Sequence, residues 1–205
     1  MHSQKAIDMK TKLIILILSF FLAQGAIAQN FTKEKSYHQS YLAEKYTELH
    51  ISNKYGDIRV FPSENDSIIF KVHLSASDKK EYEAEEQLME MDVHFSKSAY
   101  IIQVSSIFNG NENNFKTDFK MFTKNVFNSP KNIRIDYEVY VPQGLSIHID
   151  NAYGNVVLNE YKGNVDITLS GGDLIVGVLE GKTKIDMRGG TIRARSIEDA
   201  TILVD

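Results

Sequence analysis

Apolar and polar residues alternate along most of this chain, and in its last third the alternation itself repeats. Tyr161-Lys162-Gly163-Asn164-Val165-Asp166-Ile167 recurs eighteen residues later as Leu179-Glu180-Gly181-Lys182-Thr183-Lys184-Ile185, and more weakly as Ile197-Glu198-Asp199-Ala200-Thr201-Ile202-Leu203. Ser170-Gly171-Gly172-Asp173-Leu174 and Arg188-Gly189-Gly190-Thr191-Ile192 keep the same interval. Alignment on this period sets Ile147, Val165, Thr183 and Thr201 in one column, and Ile149, Ile167, Ile185 and Leu203 in another. Val156, Leu174 and Ile192 form a third column; Leu158, Val176 and Ala194 form a fourth. Asp166, Thr168, Lys184, Asp186, Arg193 and Arg195 fall between them. Alternation at period two turns one set inward and the other to water. Each copy therefore predicts two short strands with corners at Gly171-Gly172 and Gly189-Gly190, where glycine accepts positive φ at little cost.

One copy cannot bury its apolar face alone, so the copies stack. A constant spacing favours parallel stacking over an antiparallel meander. The predicted fold is all-β: a parallel β-solenoid, or single-stranded β-helix, with rungs of about 18 residues. Upstream, Leu49–Ile51, Asp57–Phe61, Ser67–Leu74, Val93–Phe95, Tyr100–Val104 and Ile133–Val141 have strand patterns. Asn53-Lys54-Tyr55-Gly56-Asp57-Ile58-Arg59-Val60 resembles Asn151-Ala152-Tyr153-Gly154-Asn155-Val156-Val157-Leu158, so the first strands read as a divergent rung. Ala84, Leu88 and Met91 instead keep helical spacing, which predicts one short helix between Asp78 and Met91 with Asp78 and Glu81 at its capped start.

The ends and one insertion modify this picture. Residues 1–28 read as a secretory signal: Lys10 and Lys12, the apolar run from Leu13, and the cleavage pattern Ala26-Ile27-Ala28 before Gln29. Met9 is an alternative start. Cleavage leaves 177 of the 205 residues and shifts the net charge from −4 to −6, because Lys5, Lys10, Lys12 and Asp8 leave with the signal. The apolar run is too short to predict a membrane span after cleavage. Residues 29–46 are polar and read as a flexible lead-in to a domain over 47–205. Within that domain, 107–130 is an Asn- and Phe-rich insertion. Phe115, Phe119 and Phe122 there either cover a core edge or share a helical face that contacts a partner. The last strand pattern runs to Asp205, which predicts an incomplete domain, or an open end prone to self-association.

Composition narrows the chemistry. An acidic chain lacks the basic face that nucleic acid requires. The absence of cysteine excludes disulfides, thiol catalysis and cysteine zinc sites. The period of eighteen invites a calcium β-roll, whose repeat is G-G-x-G-x-D-x-U-x, but Gly171-Gly172-Asp173-Leu174 lacks the third glycine and brings the aspartate in too early. Asp166 and Lys184 stack as an ordinary cross-strand charge pair. His50, His73 and His94 lie in three separate strands with no His-x-His or His-x-x-x-His pair, and read as solvent-facing rather than as metal ligands. No catalytic, cofactor or metal residues are therefore predicted.

Tyr137-Glu138-Val139-Tyr140-Val141-Pro142-Gln143-Gly144-Leu145, followed by Tyr153-Gly154-Asn155-Val156 and the repeated segments above, resembles the family of exported bacterial β-solenoids classed as adhesin-like, related to head domains of Gram-negative envelopes. The resemblance spans about residues 49–205, apart from the Phe-rich insertion. It implies a non-enzymatic exported module, a surface or scaffold element binding a glycan or an envelope protein in the periplasm, outer envelope or extracellular space. An accessory sensor or regulator of envelope signalling is the alternative, and a carbohydrate-active β-helix enzyme the third. The resemblance brings no site residue with it.

Overall fold

The computed structural model describes residues 30–108, 111–112 and 132–205. The predicted signal at 1–28, most of the 107–130 insertion, and Phe115, Phe119 and Phe122 lie outside these residues. In chain order the elements are β1 (Phe31–Leu42), β2 (Glu48–Lys54), β3 (Ile58–Pro62), β4 (Ser67–Asp78), α1 (Glu81–Met89), β5 (Met91–Lys97), β6 (Ile101–Phe108), β7 (Asn111–Glu112), β8 (Ile133–Val141), β9 (Ser146–Ala152), β10 (Val156–Lys162), β11 (Val165–Ser170), β12 (Leu174–Arg188) and β13 (Ile192–Val204). All strands belong to one sheet, curled into a half-barrel. No helix among the described residues is long and apolar enough to cross a membrane.

The eighteen-residue period is a pairing register. β10 pairs in parallel with β12, Val156 beside Leu174 and Leu158 beside Val176. β9, β11 and the second half of β12 also pair in parallel, Ile147 beside Val165 beside Thr183 and Ile149 beside Ile167 beside Ile185. β12 serves both ladders, and Gly181, at φ 134°, stands between its two halves. The sheet thus turns within one strand rather than between two. The divergent first rung packs in place: Leu49 pairs with Ile147, Asn53 with Asn151 and Ile58 with Val156.

Three expectations are corrected. The sheet is mixed and not a uniform parallel solenoid. β8 is parallel to β3 but antiparallel to β4, β1 is antiparallel to β4, and β5 is antiparallel to β6. The constant interval that enforces parallel stacking exists only in the later strands; the earlier connections vary in length and admit reversed strands. Within the predicted lead-in at 29–46, Phe31–Leu42 is an edge strand rather than a flexible segment. It pairs with β4 over its whole length, from Phe31–Asp78 to Leu42–Ser67. The last rung also slips by one residue. Thr183 lies beside Ala200 and Ile185 beside Ile202, so Ala200 and Ile202, not Thr201 and Leu203, continue the columns. Asp199 stands at the sequence position of Gly163 and Gly181, whose φ values of 153° and 134° suit glycine, and the aspartate follows a shorter path.

The helix is shorter than predicted. It starts after Lys80, which is extended and gives no side-chain cap. Asp78 instead accepts hydrogen bonds from the Lys80 N–H and from Gln87 Nε2. Ala84 is buried and Leu88 half-buried, as the spacing implies, whereas Met91 is buried in β5.

One corner carries two ladders. Before successive strands, the Asp57 N–H donates to Asp136 Oδ1 (2.8 Å), Asn155 N–H to Asp57 Oδ1 (2.9 Å), Asp173 N–H to Asn155 Oδ1 (2.9 Å) and Thr191 N–H to Asp173 Oδ1 (3.0 Å). Beside this ladder run Gly56, Gly154, Gly172 and Gly190. A Cβ on Gly154 would sit 1.9 Å from the carbonyl oxygen of Gly56, on Gly172 2.1 Å from that of Gly154, and on Gly190 1.8 Å from that of Gly172. At Gly172 it is this close approach, not positive φ, that requires glycine. The preceding position is left-handed: Tyr55 (φ 67°), Tyr153 (56°), Gly171 (68°) and Gly189 (69°). The two tyrosines offset that strain by stacking at 5.4 Å.

Inside, Leu49, Ile51, Ile147, Ile149, Val165, Ile167 and Ile185 meet Ile58, Val60, Val156, Leu158 and Leu174 in one core. Each fully buried aliphatic side chain contributes about 1.5–3 kcal/mol. Two buried polar groups are bonded across rungs: Asn53 Nδ2 donates to the Ile135 carbonyl (2.9 Å), and Ser106 Oγ lies between Asn53 Oδ1 (2.5 Å) and the Tyr137 hydroxyl (2.8 Å). Burial pushes the ionisation of the Tyr137 hydroxyl upward.

Ile167→Asp should cost about 4 kcal/mol or more, and Asp166→Ala less than about 1 kcal/mol. Equal thermal shifts would refute the inside–outside assignment. Gly172→Ala should lose about 3 kcal/mol through overlap with Gly154, whereas Gly189→Ala, with open space around it, should lose only the left-handed penalty of about 1–2 kcal/mol. Urea denaturation ranks the two, and the reverse order would rule out steric closure at the corner. The third outcome concerns pH. The Thr191 hydroxyl and N–H bonds, with Arg193 nearby, hold the Asp173 carboxyl below its ordinary value of 3.8. A depressed carboxyl stabilises the fold above 3.8, and that contribution is lost as pH falls through its lower folded value. The native chain should exceed Asp173→Asn in stability near neutral pH and converge with it in acid. A difference independent of pH would contradict this assignment.

Candidate functional site

The parallel strands β2, β9, β11 and β12 turn alternate side chains away from the core, and their register stacks these into rows. Glu48, His50 and Ser52 project from β2; Ser146, His148 and Asp150 from β9; Asp166 and Thr168 from β11, with exposed Asn164 just before it; Lys182, Lys184 and Asp186 from β12. Down the central column the order is His50, His148, Asp166, Lys184. Adjacent strands lie ~4.8 Å apart, so each outward group reaches its neighbour. The His50 and His148 rings are 4.5 Å apart and tilted by 34°. Lys184 Nζ is 3.6 Å from Asp166 Oδ2, the expected charge pair. Glu48 Oε2 is 3.4 Å from His50 Nε2.

The backbone beneath these groups is held by the core. Leu49 and Ile51 flank His50, Ile147 and Ile149 flank His148, and all four are buried. Asp150 is half-buried on the same face. Desolvation raises its carboxyl above the ordinary range, opposed by the Thr168 hydrogen bond; Asp166 raises it further, and His50 and His148 oppose this. A groove of ≈550 Å³ opens along the face between Ser146, His148, Asn164, Asp166, Lys182 and Lys184. A second groove, ≈570 Å³, runs over β1, β4, β3 and β8, where Arg59, Lys71, His73 and Glu138 line it.

The three histidines considered from sequence do not converge. His50 is on β2, His73 on β4 near Glu34 at 3.7 Å, and His94 on β5. His73 and His94 face solvent as expected. His50 instead meets His148, a residue the sequence reading left out. Among the described residues, Glu48, His50 and His148 form a group whose metal-ligating atoms all lie within 4.8 Å of one another. The signal was present in the sequence: the likeness of residues 53–60 to 151–158, extended three positions back, superposes His50 on His148. The predicted contact residues Phe115, Phe119 and Phe122 belong to the segment outside the described residues.

No protein-family model and no curated protein matches this sequence. Solved structures of similar shape include three described as adhesion proteins. One is a proposed cell adhesion protein from Clostridium sporogenes, with 12% identity, 84% of this chain and 99% of that chain covered, and a TM-score of 0.38. A second, a proposed adhesin from Parabacteroides distasonis, has 10% identity, coverage of 83% and 70%, and a TM-score of 0.39. A third, a proposed adhesin from Bacteroides fragilis, has 10% identity, coverage of 83% and 96%, and a TM-score of 0.25. None of these likenesses places a residue or an activity in this chain.

Proposed function

We propose that the chain is an exported, non-enzymatic, adhesin-like module of a bacterial envelope that acts by surface contact. The observation that carries this reading is the row structure of the β2–β9–β11–β12 face. Hydroxyl, amide, carboxylate and ammonium groups recur there at the strand spacing, over a backbone clamped by the buried columns. A binding face fixed before contact orders few side chains on association and so loses less of its gross interaction energy. Such rows suit an extended partner, either a glycan chain or a strand-bearing envelope protein. The signal-like sequence pattern of residues 1–28 supports export.

The test is binding of the exported chain to a glycan array and to an envelope fraction, alongside the triple variant Asn164→Ala, Lys182→Ala, Lys184→Ala. All three side chains are outward-facing, so circular dichroism should be unchanged, and loss of the Lys182 N–H bond to Asn164 Oδ1 and of the Lys184–Asp166 pair should lower the melting temperature only slightly. Binding should fall at least tenfold, about 1.4 kcal/mol. Retained binding by the variant would remove this face from the contact. Depolymerisation of a polysaccharide on the array would replace display with catalysis.

A further inference from the structure

The Glu48, His50 and His148 cluster has a geometry that surface display does not explain. Glu48 and His50 are two residues apart on β2, so both emerge on the outward face. His148 stands beside His50 in the next strand, in exact register. The ligand atoms of all three lie within 4.8 Å of one another. A zinc ion with bonds of about 2.0–2.1 Å in a tetrahedral shell holds its ligand atoms ~3.4 Å apart. Glu48 Oε2 and His50 Nε2 are already separated by 3.4 Å. The His50 and His148 rings lie 4.5 Å apart, and a rotation of either ring about its χ angles suffices to bring ligand atoms that are already within 4.8 Å onto a common point.

We propose that Glu48, His50 and His148 bind one divalent transition-metal ion of the zinc class. The donor set is two imidazoles and one carboxylate, nitrogen and oxygen ligands that suit Zn²⁺ and its borderline neighbours over Ca²⁺ or Mg²⁺. Two features favour binding beyond the donors. The strands bearing the ligands are pinned by Leu49, Ile51, Ile147 and Ile149, so little order remains to be imposed when the metal arrives. Asp166 lies beside His148 on the next strand and adds negative charge near a cation, partly offset by its pairing with Lys184. Three protein ligands leave one position open. His148 also lines the groove along this face. A hydroxyl or carboxylate of a bound partner can complete the shell there, which would tie the metal to the contact face. Metal binding itself does not depend on the contact reading.

The experiment is calorimetric titration of the full exported chain, prepared without a polyhistidine tag, with Zn²⁺ alone. One Zn²⁺ per chain is expected, with a rise in melting temperature at saturation. His50→Ala and His148→Ala should each weaken affinity at least tenfold while the metal-free melting temperature stays within that of the native chain. His73→Ala and His94→Ala should leave affinity unchanged. X-ray absorption of the zinc-loaded chain should show two imidazoles in the first coordination sphere. The proposal is overturned if stoichiometry stays well below one, which would leave Glu48 and His50 as a side-chain contact only. It is equally overturned if His73→Ala weakens binding as much as His148→Ala, which would mark diffuse surface binding. Loss of glycan or envelope binding with zinc affinity intact would bear on the contact reading and leave the metal site standing.

Discussion

The rest of the molecule depends on the close approach of backbone to backbone at one corner. Gly56, Gly154, Gly172 and Gly190 lie one above another with no room for a Cβ. Side-chain oxygens of Asp136, Asp57, Asn155 and Asp173 accept the N–H of the next corner in the same direction. The first feature allows the corners to come within strand spacing, and the second satisfies backbone donors that a turn would otherwise leave open. Both act between rungs, so each rung is aligned by its neighbour. A one-residue slip in such a sheet exchanges the buried and exposed sets. The last rung shows a slip of that size, at a different turn: Asp199 stands where Gly163 and Gly181 stand in the earlier rungs, and the columns continue through Ala200 and Ile202.

Alignment at the corner propagates to the outer surface. Because the rungs pair in register, residues distant in sequence become lateral neighbours, and their spacing is that of the strands. His50 and His148 meet in this way, as do Asp166 and Lys184. The same register that buries Ile149 against Ile167 therefore places His148 against Asp166 outside. Core packing and surface chemistry are two faces of one pairing scheme. A surface built like this is stiff without disulfides, which a cysteine-free chain must be.

The repeats were legible because alternation and period both carry through Val165–Ile167 and Thr183–Ile185 without interruption. The inward columns and the outward charge pair follow from those two facts alone. The antiparallel strands were not legible. β4 and β8 each alternate as cleanly as any strand of the stack, and alternation does not record a partner's direction. The polar β1 was read as a lead-in because its side chains are mostly exposed on both faces; its order comes from twelve residues of backbone pairing with β4, which leaves no apolar pattern. The helix was visible in Ala84 and Leu88, but its start was misplaced, because Asp78 bonds Gln87 rather than capping the first turn.

By itself, then, the sequence determined that the chain is all-β, that its later strands stack at an interval of eighteen residues, and which side chains form their core. These are local properties, set by side-chain alternation and by the need of each copy to bury one face. The tertiary structure alone decided which of the other distant strands lie together: β8 between β3 and β4, and β6 against β2. Those pairings join segments of unequal spacing, and no periodicity encodes them. The meeting of Glu48 and His50 with His148 draws on both: the likeness of residues 53–60 to 151–158 aligns the two histidines, and the β2–β9 ladder brings them into contact with Glu48.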